Sequence, residues 1–120
     1  MSEMKKAKIK FPNGELLEVE VADNCFSRAF GLSGCREKKA LLFVFPFQSF
    51  WSFWMPRMHY SLKLIFMKSD GKIVDIQSAI PMGFSPKTWK IYTPKEVCKY
   101  VLESPFEHDV KVGDHLKLSF

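Results

Sequence analysis

The sequence of 120 residues is poor in cysteine and arginine, and it lacks a long uninterrupted apolar run. Its three cysteines, Cys25, Cys35 and Cys98, are too few for a disulfide framework and form no C-x-x-C motif. The uncharged stretch over residues 40–56 is shorter than the ~20 apolar residues that a membrane helix needs, and Pro46 interrupts it. These shortages exclude a cysteine-stapled miniprotein, and we expect no membrane span.

The first lysines are not followed by an apolar segment, so we expect no signal peptide and a cytoplasmic protein with reduced thiols. Lysine is abundant and glutamine is scarce, a composition that fits a heat-adapted protein. In a hyperthermophilic source, a disulfide between Cys25 and Cys35 is the alternative.

The net charge of +5 comes almost entirely from lysine, because 15 of the 18 basic residues are Lys. Nucleic-acid readers depend more on arginine, whose planar guanidinium binds phosphate and guanine bidentately. The one basic cluster is Lys5, Lys6, Lys8 and Lys10, and the last three would share one face of a strand. We interpret it as a solvated edge strand that lysine protects from aggregation, and we do not expect nucleic-acid binding.

What the chain has in excess is aromatic residues, which make up 15% of it and include twelve Phe. Short apolar and alternating runs predict seven strands, over residues 6–11, 15–21, 41–45, 50–55, 62–67, 72–80 and 115–120. Asn13-Gly14 favours a hairpin turn between the first two. Residues 96–103 fit a helix or a strand, and residues 25–32 fit a short helix that Asp23 can cap.

Many short strands with one or two short helices are typical of a β-sandwich or a barrel. No internal repeat, linker or low-complexity tract divides the chain. We therefore predict one mainly β domain over residues 1–120, an antiparallel sandwich or barrel-like fold of jelly-roll type.

Seven short segments resemble, in the same order, those of the domain of unknown function 192 family, also called uncharacterised protein family 0127. They are residues 21–23 (VAD), 28–32 (RAFGL), 41–45 (LLFVF), 53–55 (FWM), 62–66 (LKLIF), 100–103 (YVLE) and 113–114 (GD). The most specific segment is FWM, between two apolar strands. The resemblance implies a small, mainly antiparallel β fold and no known activity. Lys63 stands where the family usually has Asp, and residues 56–58 (PRM) replace its usual Lys-Asn-Thr.

These segments also contain the residues that we select as a candidate ligand-binding site: Asp23, Arg28, Trp54, Met55 and Glu103. Arg28 would hold an anionic group, and an aromatic strand face would line a pocket. The alternatives are a capping carboxylate with a surface ion pair, and aromatics that only fill the core. Our leading hypothesis is a module that binds a small or anionic molecule, as a monomer or a homodimer.

Two further hypotheses stay open. A hydrolase or lyase acting on a sugar-like or carboxylated substrate would need Asp23 to share a cleft with Asp75 or Glu103. An interaction module would bind nucleic acid or protein through the lysines of the first strand. A metal site at His59, Asp75 and His115 has no supporting spacing, and no phosphate-binding glycine motif occurs, so we expect no metal and no cofactor.

Overall fold

A computed structural model of the protein describes residues 5–22, 39–52, 60–80 and 91–120. These residues contain seven strands and, within the described ranges, no helix. The strands are β1 (Lys6–Lys10), β2 (Leu16–Ala22), β3 (Leu41–Ser49), β4 (Leu62–Met67), β5 (Ile73–Ala79), β6 (Cys98–Ser104) and β7 (Lys117–Ser119). The predicted helix over residues 25–32 and loop over residues 81–86 lie outside the described residues.

All seven strands form one sheet in the order β5-β4-β6-β3-β2-β1-β7. Neighbouring strands are antiparallel, except that β2 and β3 run parallel. The two ends of the sheet meet at a bridge between Lys72 and His115, where the Leu116 N–H donates to the Gly71 carbonyl over 3.0 Å. The prediction of a mainly β, barrel-like fold is therefore confirmed, with one parallel pair that the sequence did not indicate.

The sheet buries apolar side chains on both faces, which explains the aromatic excess. The interior cluster fills the curled sheet and draws on every strand from β1 to β6. Its members are Ala7, Ile9, Phe11, Val19, Val21, Ala40, Leu42, Ile65, Met67, Ile73, Leu102 and Leu116. The outer cluster lies on the other face and consists of Ala22, Leu41, Phe43, Phe45, Leu62, Leu64, Phe66, Val74, Ala79, Tyr92, Cys98 and Val101. Consecutive residues such as Leu41 and Leu42 alternate between the two clusters, as the strand period requires.

The predicted hairpin between β1 and β2 is confirmed at its turn. Gly14 adopts a φ of 91°, a left-handed conformation that favours glycine. The Asn13 side-chain oxygen accepts a hydrogen bond from the Glu15 N–H over 2.9 Å, a local bond typical of Asn in turns. Residues 16–22 then pair with β1 in the register that places Ile9 opposite Leu17.

The prediction of separate strands over residues 41–45 and 50–55 is wrong at residues 46–52, and residues 53–55 lie outside the described residues. A single strand, β3, continues to Ser49, while Phe50, Trp51 and Ser52 belong to no strand. Pro46 lies within β3 where its register against β6 shifts between Val44 and Ser49. An irregularity of this kind accommodates proline because the ladder there needs no N–H.

The prediction that β1 is an edge strand is also wrong, since β7 pairs with it over Lys8, Ile9 and Lys10. The alternation that exposes the lysines is as expected, because Ala7 and Ile9 are buried between them. Elsewhere, the ambiguous residues 96–103 contain strand β6, and the predicted last strand shortens to Lys117–Ser119.

Candidate functional site

Of the five predicted site residues, Glu103 lies within the described structure, whereas Asp23, Arg28, Trp54 and Met55 lie outside it. Glu103 is on β6, opposite Leu41 of β3 and Leu64 of β4. Both partners belong to the outer cluster, and directly opposed residues share a face of a sheet. The Glu103 side chain therefore points into the outer cluster.

Burial sets the protonation of Glu103. The residue is only 4% exposed, and loss of hydration raises the pKa of its carboxyl group to about 8. At neutral pH this group is a neutral carboxylic acid that can donate one hydrogen bond and accept others.

A second buried carboxylate, Asp75 on β5, lies on the same face, because it is opposite Phe66 of the outer cluster. Both oxygens of its side chain accept hydrogen bonds. It accepts hydrogen bonds from the Ile76 N–H, the Gln77 side chain and the Lys95 N–H, at 2.8 to 3.1 Å. Asp75 thus fastens the segment before β6 onto the sheet.

Two neighbours of the undescribed site residues also belong to this face. Ala22, which directly precedes Asp23 in the sequence, is a member of the outer cluster. Trp51, three residues before Trp54, packs against that cluster, and its ring stacks on Phe45 at 4.4 Å between centroids. Each of the two site-bearing segments is therefore preceded by a side chain that belongs to, or packs against, the outer cluster.

A polar group that sequence reasoning missed lies beside the interior cluster. The Ser104 hydroxyl is 2.7 Å from His108 Nε2, and His108 Nδ1 is 3.2 Å from a Glu15 carboxylate oxygen. The His108 ring also stacks on Phe11, with 4.7 Å between centroids. Glu15 and His108 are 93 positions apart, and neither lies in a recognisable motif, so local sequence carried no signal for this contact.

Although these residue types match a nucleophile, a base and an orienting acid, the arrangement is structural. Ser104 is completely buried, and its oxygen already accepts a hydrogen bond from the Phe106 N–H over 3.1 Å. A substrate carbonyl has no access to that oxygen. The three side chains instead tie the segment after β6 to the hairpin between β1 and β2.

The lysines of β1 face acidic residues rather than open solvent alone. The register of β1 against β2 places Lys6 opposite Glu20 and Lys8 opposite Glu18. Lys6 also forms an ion pair with Glu18 at 3.7 Å. This face therefore alternates in charge and lacks the uniform positive potential that nucleic-acid binding requires.

The remaining candidate groups are dispersed. His115 contacts Asp70 at 3.7 Å near the bridge that joins the sheet edges, whereas Asp75 is on the outer face and His59 is outside the described residues. Cys98 is buried in the outer cluster, and this burial raises the pKa of its thiol to about 11, so the thiolate needed for reactivity is suppressed.

No helix in the described part of the chain is long and apolar enough to cross a membrane.

Curated proteins of thermophilic archaea resemble this chain over most of its length. A UPF0127 protein of Pyrococcus abyssi is 36% identical over 109 residues, which are 83% of this chain and 85% of the relative. A UPF0127 protein of Pyrococcus horikoshii is 32% identical, covering 83% of this chain and 86% of its own length.

Solved structures resemble the whole fold. A crystal structure of a Sinorhizobium meliloti protein, described as a candidate transcription regulator, has a TM-score of 0.81 and 26% identity, covering 98% of this chain and 96% of its own. A Novosphingobium aromaticivorans protein of unknown function has a TM-score of 0.77 and 19% identity, covering 95% and 84%.

The family comparison agrees with both. The model of domain of unknown function 192, described as an uncharacterized ACR, matches residues 8–118, which include the described sheet from Lys8 to Leu118. The chain belongs to the DUF192 family.

Proposed function

We propose that this protein binds a small organic molecule on the outer face of its sheet, at Glu103 together with Asp23, Arg28, Trp54 and Met55. The observation that supports the proposal is the state of Glu103, which is buried between Leu41 and Leu64 of the neighbouring strands and has a pKa of about 8. Strongly perturbed ionisable groups concentrate at functional sites. Burying a carboxyl group among apolar side chains costs stability, and a ligand that forms a hydrogen bond with it offsets part of that cost.

The chemistry of the five residues favours a planar molecule with a carboxylate. A neutral Glu103 carboxyl group donates its O–H to a ligand oxygen. Arg28 pairs with a carboxylate through two parallel hydrogen bonds, and Trp54 offers an aromatic face for stacking. Benzoate is the simplest probe that combines these features, and benzamide is its uncharged counterpart.

The contacts of Asp75 and of the β1 lysines do not favour the alternatives. A hydrolase with paired carboxylates would need a second acid beside Glu103, yet Asp75 is engaged with the Gln77 side chain and the Lys95 N–H. A nucleic-acid role would extend the description of the Sinorhizobium meliloti relative to this chain. The lysine face that it would use is interleaved with glutamates.

Benzoate titration followed by amide NMR tests the proposal. We expect shifts at Leu41 and Leu64, the strand partners of Glu103, and weaker shifts with benzamide. Glu103→Leu should weaken benzoate binding by roughly tenfold to a hundredfold, since a hydrogen bond to a charged group contributes about 1.5–3 kcal/mol. Glu103→Gln keeps a donor and an acceptor and should retain most of the affinity.

Glu107→Gln, at an exposed position, is the matched control and should leave binding unchanged. Arg28→Ala should weaken benzoate binding and leave benzamide binding unaffected. Equal benzoate affinity in the wild type, Glu103→Leu and Arg28→Ala would refute the site, as would shifts confined to other surfaces.

We further infer that residues 1–120 act as one cytoplasmic domain, as a monomer or a homodimer. The support is that all seven described strands join a single sheet. Light scattering of the purified protein measures the oligomeric state directly, and a mass above two chains would contradict the inference.

A further inference from the structure

A concave surface lies at the end of the barrel where β6 begins. The hollow has a volume of about 530 Å³, within the range of small-molecule sites. Its floor includes Val44, Tyr100 and Phe120. Val44 and Tyr100 are strand partners, and the rings of Tyr100 and Phe120 are 6.0 Å apart. Phe120 is 69% exposed, so an apolar surface here is open to solvent.

The rim of this hollow is positively charged. Lys5, Lys6 and Lys99 line it, and no acidic side chain does so within the described part of the chain. The ion pair of Lys6 with Glu18 is between side chains that are more than half exposed, so it competes weakly with a ligand. We name this surface, an apolar floor with lysines on its rim, the lysine-rimmed hollow.

We propose that the lysine-rimmed hollow binds an amphipathic anion, namely an aliphatic chain that ends in a carboxylate. The chain lies on Val44, Tyr100 and Phe120, and the carboxylate meets the ammonium groups of Lys6 and Lys99. Covering an apolar floor gains free energy in proportion to its area, and the lysines select the charge of the head group. This site is separate from that at Glu103, because Val44 and Tyr100 pack against the interior cluster and Glu103 points into the outer one.

Amide NMR titrations with decanoate, decanol and decyltrimethylammonium test both halves of the proposal, because the three probes share a chain and differ in charge. We expect decanoate to shift the signals of Val44, Tyr100 and Phe120 and to bind more weakly as salt is added. Decanol should bind more weakly than decanoate, and decyltrimethylammonium should bind weakest.

Lys99→Glu reverses one rim charge, and Lys111→Glu is its control at an exposed lysine that does not line the hollow. We expect Lys99→Glu to weaken decanoate binding by about fivefold, the scale of an exposed charge pair, and to leave decanol unaffected. Lys111→Glu should match the wild type for both probes. Lys99 is half-buried and Lys111 is exposed, and neither belongs to a core cluster, so both variants should fold.

Three results would overturn the proposal. Equal binding of the three probes would show adsorption to apolar surface without charge selection. Shifts confined to residues outside the hollow would place the binding elsewhere. Binding to phosphatidylglycerol vesicles through the same residues, without binding of monomeric decanoate, would identify a membrane surface as the partner. Benzoate binding at Glu103 is unaffected by Lys99→Glu if the two sites are independent.

Discussion

Glu103 and Ser104 are consecutive residues of β6, so their side chains lie on opposite faces of the sheet and in different surroundings. The Ser104 hydroxyl is hydrogen-bonded to the His108 ring and accepts a hydrogen bond from the Phe106 N–H. Glu103 is buried on the other face, and this burial raises the pKa of its carboxyl group to about 8. The sequence identified Glu103 through the family resemblance, whereas Ser104 carried no signal because its partner network closes only in the fold. Both residues should therefore have a measurable effect on the free energy of unfolding.

Glu103 should make the protein less stable as pH rises from about 5 to 8. Below the ordinary pKa of 4.5, both the folded and the unfolded states hold the proton. Between 4.5 and about 8 the unfolded carboxyl group ionises while the folded one stays protonated. The free energy of unfolding then falls by up to ~1.4 kcal/mol per pH unit, and the loss is complete above the folded pKa.

Urea unfolding of the wild type and Glu103→Gln at several pH values measures this effect. The glutamine variant cannot ionise, so its stability relative to the wild type should grow across that interval. Parallel curves for the two proteins would contradict the raised pKa.

Ser104→Ala should lower the free energy of unfolding by about 1–3 kcal/mol, because it leaves Nε2 of the buried His108 ring without its partner and removes the acceptor of the Phe106 N–H. Ser119→Ala, at an exposed position of β7, is the control and should change stability by less than about 0.5 kcal/mol. Thermal or urea unfolding measures both. Equal stability of the two variants would show that the His108 contact contributes nothing.

At the scale of elements, local patterns predicted most strands and failed where the sheet overrides them. The β1–β2 hairpin was predictable because Asn13-Gly14 specifies a turn between alternating segments. Strand β3 was not, since Pro46 suggested a connection and its tolerance depends on a register shift against β6. The ambiguity of residues 96–103 was settled by pairing with β3 and β4, which no local window contains.

Two turn glycines with the same backbone conformation should respond differently to alanine. Gly14 and Gly71 have φ of 91° and 87°, so Ala at either position costs roughly 1 kcal/mol of strain. A Cβ at Gly14 meets open space, whereas one at Gly71 collides with the Leu116 carbonyl oxygen at the junction of the sheet edges.

Gly71→Ala should therefore lower the free energy of unfolding clearly more than Gly14→Ala does. It should also broaden the amide NMR signals of Leu116 and Gly113, which bond across the same junction. Equal destabilisation by the two substitutions, with unchanged spectra, would indicate that the junction of the sheet edges accommodates the added methyl group without loss of stability.

At the scale of the whole molecule, the sequence indicated a β barrel-like fold but not how its strands are ordered. The parallel β2–β3 pair and the Lys72–His115 bridge join segments that are distant in sequence, and periodicity reports only on which face a residue takes. The same contrast between local sequence and strand pairing applies to the candidate site. The resemblance selected Glu103, while its burial between Leu41 and Leu64 follows from three strands meeting.

The strand order predicts an uneven distribution of stability. Strand β6 is paired on both sides along most of its length, whereas β7 is three residues long and pairs with β1 on one side. We expect the amides of Val101 and Leu102 to exchange with deuterium only on global unfolding, and those of β7 to exchange much earlier. Hydrogen exchange followed by NMR measures this, and uniform protection would contradict the expected order.

The position of β1 between β2 and β7 has a consequence for the protein as it is synthesised. The hairpin partner β2 emerges directly after β1, but β7 is translated much later, after the five strands β2 to β6. Throughout that interval the other side of β1 presents unpaired N–H and C=O groups to neighbouring nascent chains. The alternating lysines of Lys6–Lys10 then repel an identical strand from a second ribosome until β7 arrives.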